Sequence, residues 1–195
     1  MKATDLLKDQ HKEVAALFKR IESAKGGAEK NKLFEELGRN IAGHDAIERE
    51  IFYPACQKEM GTTDLLGEAL VEHGVVEFSL YLADQARGED DFDFKITVLR
   101  EIIEHHVEEE EKELFPKVEK ALGAEMLEQL GAEMEERFEE SKEDDFRPPL
   151  HDNLSQVLAG ASETEPEDSS KKPVAKKTAK KAAKKTVKSA HKKAS

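Results

Sequence analysis

The 195-residue chain has one cysteine, no tryptophan and two tyrosines, and no apolar run approaches the roughly 20 residues a membrane-spanning helix needs. Each shortage excludes a class of protein. With Cys56 alone, no disulfide can form within the chain, so a disulfide-stapled scaffold is out. With no long apolar run, a helical membrane protein is out as well. Hydrophobic residues make up 37% of the chain and charged ones 38%, so any core must be built from a regular, economical pattern. The opening Met1-Lys2-Ala3-Thr4-Asp5 leads into charge rather than an apolar signal core, and the expected location is cytoplasmic.

The net charge of −12 averages two opposite regions. Lys171–Ser195 holds eleven lysines and no acid, a local +11 that leaves −23 on residues 1–170. This lysine- and alanine-rich stretch has almost nothing to bury and is expected to be a disordered basic tail. Its composition resembles the tails of linker histones and bacterial nucleoid proteins. The expectation that follows is non-specific DNA contact through Lys171–Ser195 and a nucleoid association, with folding back onto the acidic body as the competing outcome. Residues 144–170, with Pro148-Pro149 followed by a Ser/Thr/Glu/Pro-rich stretch, read as an extended linker.

Residues 1–143 read as helix almost throughout. They are rich in Glu, Lys, Leu and Ala, and Gly26-Gly27, Gly61, Gly88 and Gly123 fall between periodic segments. Four long helices are expected, from about Thr4 to Gly26, Ala28 to the Pro54–Gly61 region, Thr63 to Gly88, and Asp93 to Gly123. A shorter fifth helix carries Leu127, Leu130, Met134 and Phe138. Short links between long helices imply an all-α, antiparallel up-down four-helix bundle.

The inward seams, read at alternating spacings of three and four, carry the chemistry. They are Leu7, His11, Val14, Phe18 and Ile21; then Phe34, Leu37, Ile41, His44, Glu48, Ile51 and Ala55; then Ala69, His73, Val76, Leu80 and Ala83; and finally Ile96, Leu99, Ile103, His106, Glu110 and Leu114. Each helix puts one histidine on its seam, and two helices add a glutamate one turn later. One core histidine is ordinarily a hydrogen-bonded structural residue. Two unpaired carboxylates among four histidines are another matter, because their burial would cost more than the about 5–15 kcal/mol that stabilises a small domain. A bound cation is the economical way to neutralise them.

An internal repeat supports this. A shift of 62 residues lays His11 on His73, His44 on His106, Glu48 on Glu110 and Pro54 on Pro116. Two similar hairpins around one centre suggest a pair of metals rather than one. The repeat and the periodicity also agree on His106 and Glu110 over the neighbouring His105 and Glu109. His105 is left as a residue supporting the ligands or a helix–helix contact, with metal ligation as the lesser alternative.

The pattern His, His-x-x-x-Glu, His, His-x-x-x-Glu, with the Phe52-Tyr53-Pro54 and Phe115-Pro116 turns, resembles the hemerythrin-like, or HHE cation-binding, domains over roughly residues 4–140. The resemblance implies a non-heme di-iron centre held by His11, His44, Glu48, His73, His106 and Glu110, with both glutamates bridging the irons. It also implies binding or sensing of oxygen, nitric oxide or peroxide, or iron handling. If the protein is an enzyme, it is then a di-iron oxidoreductase acting on peroxide or nitric oxide. The alternative is a nucleic-acid-associated protein whose metal site senses or is structural. Oxygen carriers of the family have a further histidine where this chain has Glu77, read as a ligand or as a solvated residue; the harder donor set argues against reversible oxygen carriage. The rival ferritin-type Glu-x-x-His is absent, since Lys8, Ile41, Leu70, Ile102 and Ile103 stand three before the histidines.

Overall fold

The computed structural model describes residues 1–158, with side chains to 155, and the linker and tail calls beyond 158 lie outside the described residues. Within it the chain is helical: α1 (Ala3–Ser23), α2 (Gly27–Ile47), α3 (Tyr53–Met60), α4 (Asp64–Gln85), α5 (Phe92–Glu109), α6 (Phe115–Glu143) and α7 (Arg147–Leu158). The four expected rods are α1, α2 continuing into α3, α4, and α5 continuing into the start of α6. Short links make α1–α2 and α4–α5 the two hairpins of the repeat. No described helix is long and apolar enough to cross a membrane.

The second and fourth rods each contain one wide π-type turn, at Glu48–Phe52 and Glu110–Leu114. These turns begin at the two seam glutamates and end just before Pro54 and Pro116. Proline has no N–H and its ring presses on the carbonyl four residues back, so the helix widens by one residue to clear it. Tyr53 and Phe115 N–H then bond five residues back, to the carbonyls of Glu48 and Glu110. The extra residue corrects the expected seam. Ile51 and Ala55 are only half-buried, while Phe52 and Cys56 take the inward positions and are fully buried.

Gly123 adopts φ 74° and interrupts α6, whose second half turns back along α1 and α2. It buries Leu127, Leu130, Met134 and Phe138, the residues expected on a fifth helix, although the helix is longer than expected. The extended connection expected from residue 144 is corrected over Arg147–Leu158, which is helical. Pro148 and Pro149 sit in its first turn, where their missing N–H groups cost nothing and their fixed φ suits a helix. Phe146, Leu150 and Leu154 join the core, and Arg147 bonds Asp84 and Glu35. The packed body therefore extends past the expected boundary at 143.

The Phe146 ring fits because Gly38 of α2 has no side chain; a Cβ there would lie 2.6 Å from the ring. We expect Phe146→Ala to lower stability in urea denaturation by about 3–5 kcal/mol, the usual loss for a buried phenylalanine. A change below about 0.5 kcal/mol, the scale of a surface substitution, would mean that this segment is not part of the core.

Candidate metal centre

The buried apolar residues form two clusters. One surrounds Phe18, Phe34, Leu80 and Leu99, and the other surrounds Leu7, Phe52, Phe115 and Met134. Each seam histidine lies between members of the two: His11 between Leu7 and Val14, His44 between Ile41 and Ile47, His73 between Ala69 and Val76, and His106 between Leu99 and Leu114. The seam pattern thus builds one polar layer across an otherwise apolar bundle.

All six expected side chains meet in that layer. Their ligand atoms fall into two groups, His11–His44–Glu110 and Glu48–His73–His106, each within 4.8 Å. The carboxylates tie the groups together. Glu48 Oε2 lies 3.1 Å from His44 Nε2 and 3.2 Å from His73 Nε2. Glu110 Oε2 lies 3.5 Å from His11 Nε2 and 3.6 Å from His106 Nε2. Two donors each about 2.1 Å from a common cation stand roughly 3.0–3.5 Å apart, so these separations suit metal coordination. His11 Nε2, both Glu48 oxygens and Glu110 Oε2 are buried with no hydrogen-bond partner. Orphaned acceptors of this kind are costly unless a cation satisfies them, and the residues fit one.

The other ring nitrogens fix the orientation of the histidines. Nδ1 of His11, His44, His73 and His106 faces Glu111 at 2.8 Å, Gln10 at 2.8 Å, Asp45 at 2.5 Å and Glu72 at 2.8 Å respectively. An oxygen acceptor at each Nδ1 places the proton there and leaves Nε2 free to ligate. Tyr53 adds another oxygen to the centre, 2.9 Å from His73 Nε2, and donates to Glu110 Oε1 at 2.8 Å.

Sequence reasoning did not find Tyr53, Gln10, Asp45, Glu72 or Glu111. The repeat carried part of the signal, because Gln10 and Glu72 both directly precede a seam histidine and are themselves 62 apart. Tyr53 corresponds to Phe115, which stacks on His11 at 6.0 Å instead of donating a hydrogen bond. Asp45 and Glu111 have no such correspondence.

The field of the layer favours positive charge. Burial works against a charged His73, but the carboxylates of Asp45 and Glu48 outweigh it and push its pKa up to about 10. Burial likewise opposes ionisation of Glu48, yet His44 and His73 hold its carboxyl well below the usual range. Protons and metal ions compete for this field, so metal uptake releases protons. Cys56 is inert beside it, its thiol pushed up to about 12 by burial and then by the charges of Glu48 and Glu110.

The two residues left open by the sequence lie outside both ligand groups. His105 is 66% exposed and sits 3.8 Å from Glu72 and 3.7 Å from Glu109. Glu77 is buried rather than solvated and accepts from Asn153 Nδ2 of α7 at 2.6 Å. It also lines a cavity of about 330 Å³ that is walled by the four histidines together with parts of α2, α4, α6 and α7. Glu48, Glu110 and Tyr53 are not among the residues lining that cavity.

Fold and site together define a cation-binding helical bundle. The chain belongs to the family described as Hemerythrin HHE cation binding domain, which matches residues 2–118. It is also similar to the crystal structure of a hemerythrin HHE cation binding domain-containing protein, the Rv2633c homolog from Mycobacterium kansasii. That likeness has a TM-score of 0.68 and 26% identity, and covers 79% of this chain and 99% of the other. No curated protein matches.

Glu77 yields a pH prediction. Burial, and then the Asp45 carboxylate, push its carboxyl up to about 7 from an ordinary 4.5. A raised folded-state pKa means that the folded chain holds this proton more tightly. The stability it contributes is therefore full below about 4.5 and is lost as pH rises through about 7. Glu77→Gln, which can still accept from Asn153, should match the parent near pH 4.5 and exceed it above pH 7 in urea denaturation. A stability difference that stays constant across this range would contradict the assignment.

Proposed function

We propose that the centre holds two iron ions and that the protein binds a small oxidant or gas there: dioxygen, nitric oxide or peroxide. The observation that carries the reading is the pair of His–His–carboxylate groups, spanned by Glu48 and Glu110 through oxygens that have no other partner. In this reading His11 and His44 hold one ion and His73 and His106 the other. Glu48 and Glu110 would hold both ions from between the histidine pairs, and Tyr53 Oη would offer a hard oxygen donor that suits ferric iron. Bound iron supplies one-electron redox chemistry and coordination positions that six or seven side chains cannot fill.

The rest follows from this chain's own residues. Gln10, Asp45, Glu72 and Glu111 keep the four Nε2 atoms aimed at the ions by accepting from Nδ1. The tyrosine and the carboxylates close the side of the layer that faces Phe52 and Phe115, while the histidines front the cavity. A small molecule reaches the open positions from the cavity side, between Ile41, Val76 and Ile103. These three apolar side chains suit an uncharged diatomic or hydrogen peroxide beside the histidines, while Arg49, Glu50, Arg137 and Asp145 line other parts of the cavity.

Metal analysis of the purified protein should find about two irons per chain. A Glu48→Ala, Glu110→Ala double variant should lose most of them, while His105→Ala and Glu77→Gln should keep them. Normal loading of the double variant would refute the assignment. With iron bound, oxygen, nitric oxide and peroxide should each be tested for a change in absorption and for turnover. The absence of any response to all three would refute the proposed ligand class.

A further inference from the structure

The two halves of the repeat support their seam histidines differently. Arg49 and Glu111 are 62 residues apart, and each is the second residue of its wide turn. Glu111 faces Nδ1 of His11 directly, at 2.8 Å. At the matching position of the other half the chain has a cation instead. An arginine cannot accept from a ring N–H, so the acceptor at His73 comes from one turn earlier on the same rod, Asp45 Oδ1 at 2.5 Å. Residue 107, which matches Asp45 in the repeat, is a valine.

Asp45 is shared. The same Oδ1 accepts from Arg49 Nε at 2.8 Å, and the Nη2 arm of the guanidinium lies 3.4 Å from Glu77 Oε2. Glu77 in turn accepts from Asn153 Nδ2 at 2.6 Å. The side chains of Arg49 and Asp45 are each 13% exposed and that of Glu77 only 6%, so solvent screens them little. A row of polar contacts therefore runs from α7 through Glu77 and the wide turn to Asp45, and ends on His73. Ala15 stands 62 residues before Glu77, so neither of these acidic partners of Arg49 has an acidic counterpart in the repeat.

We propose that Arg49 is a positioning residue of the metal centre: it clamps Asp45 against His73 Nδ1 and offsets part of that carboxylate's charge, which makes an ion beside His73 easier to reduce. This rests on the reading that the centre holds iron. A carboxylate at Nδ1 makes a ligand imidazole more basic and so favours ferric over ferrous iron. The guanidinium acts in the opposite direction, by sharing the carboxylate and through its own positive charge in a poorly screened place. Its two arms reach different acids, Asp45 and Glu77, and this fixes where the charge sits. A symmetric ligand set thus receives an asymmetric surrounding, with a carboxylate at His11 and a carboxylate–arginine pair at His73.

The test is a redox titration of the iron-loaded full-length chain, followed by its absorption spectrum. Arg49→Gln should move the midpoint of the iron couple to lower potential, so that at the parent's midpoint the ferric-to-ferrous ratio rises at least about threefold. Asp45→Asn, whose side-chain oxygen can still accept from Nδ1, should move the midpoint upward by removing the anion. Arg49→Lys keeps the charge and should lie closer to the parent than Arg49→Gln does. Opposite shifts from the two partners of one hydrogen bond distinguish this role from loosened packing, which both variants would share. All three variants should keep their iron and their helical circular dichroism, because neither residue is in a ligand group. A parent with a reversible couple and variants that share its midpoint would overturn the role of Arg49 alone. So would shifts of the same sign in Arg49→Gln and Asp45→Asn. A loaded parent with no ferric–ferrous couple would overturn the iron reading, and this inference with it.

Discussion

Two carboxylates lie in the middle of a helical bundle with no solvent to stabilise them, and the rest of the molecule is arranged around that fact. Glu48 and Glu110 are fully or almost fully buried, and three of their four oxygens have no hydrogen-bond partner. Four histidines surround them, each held by an oxygen at its outer nitrogen. The net field attracts positive charge strongly enough to keep His73 protonated well above its ordinary range when no metal competes. A cation held there would offset the unfavourable burial and join all four rods at one level.

The fold supplies the means. The two wide turns begin at the glutamates, follow from the prolines one turn later, and rotate Phe52 and Phe115 inward beneath the layer. Two apolar clusters, one on either side, keep the layer dry and fix its height along the bundle. The second half of α6 and the whole of α7, both beyond the matched family domain, close the cavity against which the histidines stand. Asn153 of α7 reaches Glu77, so the last described helix helps to bury that carboxylate.

Much of this was legible because a bundle helix reports its buried face in its spacing. His11, His44, His73 and His106 fall on their seams without any knowledge of the structure, and the 62-residue repeat separates His106 from His105. The wide turns were not legible, since the prolines were visible but the one-residue shift that moved burial from Ile51 to Phe52 was not. Gln10, Asp45, Glu72 and Glu111 look like any polar residue on a helix flank, and only the relation between Gln10 and Glu72 distinguished two of them. The Pro148-Pro149 pair was read as extended chain, although a first helical turn accommodates prolines equally well. Glu77 could not be judged from α4 alone, because what buries it comes from α7.

The central claim is that a cation offsets the charge of the buried carboxylates, and comparison of thermal unfolding of iron-loaded and metal-free protein tests it most directly. The loaded form should melt well above the metal-free form, because ions bound only to the folded chain stabilise it by mass action. Replacing both glutamates by glutamine should remove most of that difference. Identical melting of loaded and metal-free parent protein would contradict the account.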